Sequence, residues 1–91
     1  MNKIYDVNVT SCKLISALVE YVINNKWEIN VNQLKDNVFL INISSNRGNF
    51  KLILINNDNF TIKIIADDEN MHSFILDILN NIFKKYELLH I

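Results

Sequence analysis

Residues 38–65 hold three short apolar runs, 38–43, 50–55 and 60–65, separated by two polar connections. The runs are rich in Ile, Leu and Phe, side chains that suit a pleated, half-buried surface. The first connection, residues 44–49, holds the chain's single glycine. Lacking a Cβ, Gly48 can take the positive φ that a chain reversal usually demands. The second, residues 56–59, consists of asparagine and aspartate, the types that best tolerate the left-handed region after glycine. The pattern predicts a β-meander.

Side chains of a strand alternate between faces, so the pattern also proposes a register. Pairing Ile43 with Phe50 sets Ile41 against Leu52 and Phe39 against Leu54. Continuing, Leu54 meets Phe60, Leu52 meets Ile62 and Phe50 meets Ile64. One face is then wholly apolar and forms the core. The other carries Val38, Leu40, Asn42, Lys51, Ile53, Ile55, Thr61, Lys63 and Ile65.

The flanking segments supply the cover. Tyr5, Val7 and Val9 alternate with Asp6 and Asn8, a short strand suited to a sheet edge. Thr10 and Ser11 offer an N-cap hydroxyl. From residue 12 to about 23, Leu14, Ile15, Leu18, Val19, Val22 and Ile23 recur at helical spacing, with Ala17 and Tyr21 widening the stripe. Lys13, Ser16 and Glu20 fall outside it, and Asn24 and Asn25 mark a stop. Trp27, Ile29 and Val31 then alternate as a half-buried strand, with Val31 expected opposite Phe39, Ile29 opposite Ile41 and Trp27 opposite Ile43. Residues 33–37 turn the chain. After the meander, Asp67, Asp68 and Glu69 open a second helix, whose stripe runs through Met71, Phe74, Ile75, Ile78, Leu79, Ile82, Phe83 and Tyr86. Lys84 and Lys85 complement its dipole. Leu88, Leu89 and Ile91 form an apolar tail.

These elements predict an α+β fold in two layers: a four-stranded antiparallel meander with an N-terminal and a C-terminal helix on one face, order (β)αββββα. A chain of 91 residues suits a single domain over residues 1–91 without disulfide or metal staples. The formal net charge of −1 removes the electrostatic footprint of a typical nucleic-acid binder. A single cysteine, Cys12, rules out an internal disulfide and fits a reducing compartment. The first residues lack the apolar stretch of a signal peptide, and no apolar run reaches the roughly 20 residues of a membrane span. A soluble, cytoplasmic protein is expected. Asparagine and isoleucine each make up about a sixth of the chain and lysine outnumbers arginine eight to one, which points to A+T-rich coding, as in a low-GC bacterium, its phage or plasmid, or an organelle.

Two helices, each about 10 Å across, cover one face of a four-stranded sheet about 20 Å wide and leave the other. On that second face Val38, Leu40, Ile53 and Ile55 cluster at one end of the central strands, with Ile65 nearby on the edge. A solvated face normally alternates to polar residues, and an apolar patch rimmed by polar groups is a typical contact surface. The expected role is a non-enzymatic protein-interaction module, docking a partner or a second copy through this face or an open edge strand. The other outcome is closure, with the first helix or the apolar tail crossing over to finish the core. In order of elements alone the chain resembles small α+β chaperones and adaptors and compact phage-encoded inhibitors, which implies work by surface contact.

Chemistry-bearing residues are few. Asp67, Asp68 and Glu69 with His72 have helical spacing for a metal, but acidic residues in a first turn are ordinary capping groups, and no second ligand-bearing segment exists. No metal and no cofactor is expected. His90 reads as solvated. Cys12 would be activated in a first helical turn, yet neither histidine is placed to serve it, so it reads as a buried structural thiol. There is no glycine-rich phosphate loop and no facing carboxylate pair. The alternative function is weak single-stranded nucleic-acid binding by Lys51 and Lys63, on a face without stacking aromatics.

Overall fold

The computed structural model describes the backbone of residues 2–7, 11–56 and 60–86 and the side chains of residues 13–56 and 61–84. Among the described residues seven elements follow in order: β1 (Asn2–Val7), α1 (Ser11–Asn24), β2 (Glu28–Lys35), β3 (Val38–Ser45), β4 (Gly48–Asn56), β5 (Phe60–Ile65) and α2 (Glu69–Tyr86). The fold is α+β, with β2 to β5 forming the expected antiparallel meander. The first segment joins it as a fifth strand: the sheet order is β1-β5-β4-β3-β2, with β1 antiparallel to β5.

Both helices lie on one face. Ile41, Ile43, Phe50, Leu52, Leu54, Ile62 and Ile64 are buried in a single cluster with Leu14, Ala17, Leu18 and Val22 of α1 and Ile75, Ile78, Leu79, Ile82 and Phe83 of α2. The period-two and period-3.6 patterns of the sequence thus meet in one core. Crossing of α1 to the second face is thereby overturned. The tail at residues 87–91, Thr10, the loop at 57–59, His90 and the side chains of Cys12, Phe60 and Tyr86 lie outside the described residues. No described helix is long and apolar enough to cross a membrane.

The β3–β4 register is the expected one, with Ile43 opposite Phe50, Ile41 opposite Leu52 and Phe39 opposite Leu54. The two outer registers differ from expectation by two residues. Leu54 faces Ile62 and Leu52 faces Ile64, while Phe60 pairs with Asn56. Likewise Ile29 faces Ile43 and Val31 faces Ile41. The cause is turn length. Residues 33–35 remain paired through a bulge between Gln33 and Lys35, so β2 reverses over Asp36 and Asn37 alone. A two-residue slip keeps every side chain on its expected face but changes its neighbours.

Two positions assigned to the core stand outside it. Val31 is 38% exposed on the helix side of β2, and Ile23 is 64% exposed on α1. Trp27 precedes β2, half-buried against the core.

Candidate interaction surface

The second face is built by the alternate residues of the three inner strands. Val38 stands directly opposite Ile55, and Leu40 directly opposite Ile53. All four are half-buried, and none belongs to the core cluster or packs against it. Together they make a two-by-two aliphatic block across β3 and β4. Ile65, also half-buried, faces Lys51 in the adjoining row, so it is diagonal to Ile53. Its strand is flanked by β1 and β4, which corrects the expectation that Ile65 lies at a sheet edge. The first segment pairs where an edge was foreseen.

Polar residues frame the block. Asn32 faces Leu40, Asn42 faces Lys51, Lys63 faces Ile53 and Thr61 faces Ile55. Toward β2 the frame is tied together by the Asn32 side-chain amide, which donates to Oδ1 of Asn30 at 2.6 Å. Lys51 is exposed and Lys63 half-buried, and they lie diagonally on neighbouring strands, bracketing Ile53 and Ile65. The open-face positions of β3, β4 and β5 hold no carboxylate and no aromatic ring.

At the start of α2 the acidic residues act locally. Asp68 Oδ1 accepts the backbone N–H of Met71 at 2.8 Å, and its carbonyl accepts the N–H of His72 at 3.0 Å. That carboxylate is an N-cap, satisfying one of the orphan donors of the first turn. The His72 side chain turns inward, 6% exposed, and its Nε2 has no hydrogen-bond partner. No group of three His, Cys, Asp or Glu residues comes together among the described residues.

An aromatic chain, not anticipated from the sequence, fastens the helix layer to the sheet. Tyr21 and Trp27 pack at 5.7 Å, Trp27 and Phe74 at 5.7 Å, and Phe74 meets Phe50 edge-on at 6.3 Å. The Arg47 guanidinium caps it, 4.8 Å from the Phe74 ring centre, a cation–π contact. Its members come from α1, the α1–β2 link, β4, α2 and the β3–β4 turn, and only the assembled fold brings them together.

No protein-family model, no characterised protein and no solved structure matches this chain.

Proposed function

We propose that the chain is a protein-interaction module that works by binding another protein through Val38, Leu40, Ile53, Ile55 and Ile65, without a catalytic step of its own. The observation that carries this reading is the aliphatic block: four side chains in direct cross-strand pairs, on the face away from both described helices. A lone exposed aliphatic is ordinary; a contiguous set framed by polar groups marks a contact surface. The rim of the block carries both signs of charge, with Lys51 and Lys63 on β4 and β5, Asp6 of β1 opposite Thr61 and Glu28 of β2 opposite Ser44. The test is titration of a captured partner against the chain and against Leu40→Lys and Ile53→Lys. Each substitution at the centre of the patch should weaken binding by about tenfold or more. Unchanged affinity in both variants would remove this face from the interaction.

A second reading is weak single-stranded nucleic-acid binding, favoured by the diagonal pair Lys51 and Lys63. It requires retention on single-stranded DNA or RNA that falls steeply with salt and is lost in Lys51→Ala/Lys63→Ala. Retention indifferent to salt excludes it.

A further inference from the structure

The large exposed apolar side chains of the described residues fall on two consecutive elements, α1 and β2: Ile23 at 64%, Leu34 at 55% and Val31 at 38% exposure. Val31 and Leu34 lie on β2, which ends the sheet order and, among the described residues, pairs on one side only, with β3. On α1, Ile23 continues a stripe through Val19 to Ile15, which also packs against the core, and these three with Ser16, Glu20 and Asn24 line a shallow groove along the helix. With 3.6 residues per turn, Val19 lies about 160° round the helix from Tyr21. Tyr21 packs on Trp27, which packs on Phe74 of α2, so the stripe faces away from α2. Only residues 25–27 separate α1 from β2, so the stripe ends within a few residues of the start of that strand.

We propose that the outer edge of β2 and the α1 stripe form one wall, a self-association surface: two copies of the chain pair β2 against β2, antiparallel about a two-fold axis, and their α1 stripes meet over the joined strands. The residues involved are distinct from the open-face patch. An edge strand directs every second N–H and C=O outward, and sheets commonly guard such edges with charge, proline or bulges. Here residues 29–34 carry neither charge nor proline, and the bulge sits at the far end, leaving residues 28–33 in regular register. The opposite edge, β1, has Lys3 and Asp6 within its sequence.

Charge selects the second copy and its direction. The strand begins with Glu28 and ends with Lys35. Antiparallel pairing with Val31 at the axis sets Glu28 opposite Leu34 of the other copy, one residue along from its Lys35 and on the same face, since both residues pair with open-face positions of β3, whereas in-register parallel pairing sets like charges side by side. An axis normal to the sheet keeps both helix layers on one side, so Val31 meets Val31 beneath the facing stripes. The wall is about 26 Å long at 3.3 Å per residue and about 20 Å deep through two layers, roughly 500 Å² in projection. A stable pair needs about 800 Å² of accessible surface per partner, which a corrugated wall of that projection approaches.

Sedimentation equilibrium and light scattering on the full chain at micromolar concentration should give twice the 10.7 kDa chain mass. Val31→Lys and, separately, Ile23→Glu should each return the mass to that of one chain, with the far-UV circular dichroism of the parent. Leu40→Lys, on the open face, should leave the dimer intact while it weakens capture of a foreign partner. A parent chain that is monomeric overturns the assignment. So does a dimer that survives both Val31→Lys and Ile23→Glu, or one that Leu40→Lys alone dissociates.

Discussion

The N–H of Trp27 reaches back to the carbonyl of Val22, at 2.9 Å, and this bond turns α1 into β2. Inside it the N–H of Lys26 donates to the Ile23 carbonyl at 3.0 Å, with Lys26 at a φ of 60°. The pair of bonds is a Schellman cap, and Lys26 occupies the position where glycine is usual. A left-handed conformation costs an L-residue about 1–2 kcal/mol, against about 0.5–1 kcal/mol of extra unfolded-state entropy for glycine. Lys26→Gly should therefore stabilise the fold by about 0.5–1 kcal/mol, and Lys26→Val should destabilise it by about 1–3 kcal/mol. Urea unfolding of the three chains side by side checks both signs.

Capping by Asp68 makes a different demand on the start of α2. Since its Oδ1 holds the Met71 N–H, Asp68→Ala should lower stability by about 1 kcal/mol, while Asp68→Ser and Asp68→Asn retain most of it. Neither zinc nor a chelator should move the thermal midpoint of the parent. A metal-dependent midpoint abolished by Asp68→Ala would reverse the assignment of this carboxylate.

One turn further on, the imidazole of His72 is buried with Nε2 unpartnered. An unsatisfied buried polar atom costs about 1–3 kcal/mol, and an apolar side chain of similar size does not incur it. His72→Leu should raise stability by about 1 kcal/mol, read as a higher urea midpoint at unchanged slope. A loss of stability would mean that the imidazole makes a contact the fold depends on.

At Gly48 the φ is +124°, and a Cβ there would stand 3.2 Å from Cε of Met71. The methyl end of Met71 can move aside, so the backbone conformation sets the penalty. Gly48→Ala should cost about 1–3 kcal/mol, and combining it with Met71→Ala should not recover that loss. Recovery in the double variant would assign the cost to the contact instead.

Which side chains face the core was legible because burial in a strand repeats every second residue, and Ile41, Ile43, Leu52 and Ile62 declare that period in the chain itself. Register was less legible, since a slip of two residues leaves the period intact. Choosing between Ile41 and Ile43 as the neighbour of Ile29 depends on where β2 reverses, and Asp36 with Asn37 does so in two residues where the composition of 33–37 suggested five. The Lys26 cap was hidden because its residue is not glycine. Val38, Leu40, Ile53 and Ile55 were placed together by sequence alone because they flank a hairpin whose register the central glycine turn fixed. Tyr21, Trp27, Arg47 and Phe74 come from separate segments, and no local pattern links them.

Adjacent residues of β3 offer the sharpest contrast between the two faces. Ile41 is 0% exposed in the core, whereas Leu40, its neighbour, is half-buried on the open side between Asn32 and Ile53. A lysine at position 40 can run its methylenes across the aliphatic block and keep its ammonium in water. A lysine at position 41 must leave an unpaired charge under two helices, a penalty of several kcal/mol against a total stability of about 5–15 kcal/mol for a small domain. Leu40→Lys should therefore unfold cooperatively within about 1 kcal/mol of the parent. Ile41→Lys should be unfolded or aggregated at room temperature, with no cooperative transition by circular dichroism. If both variants lost the fold, the side chains around Leu40 would be core rather than surface, and the interaction face proposed for them would not exist.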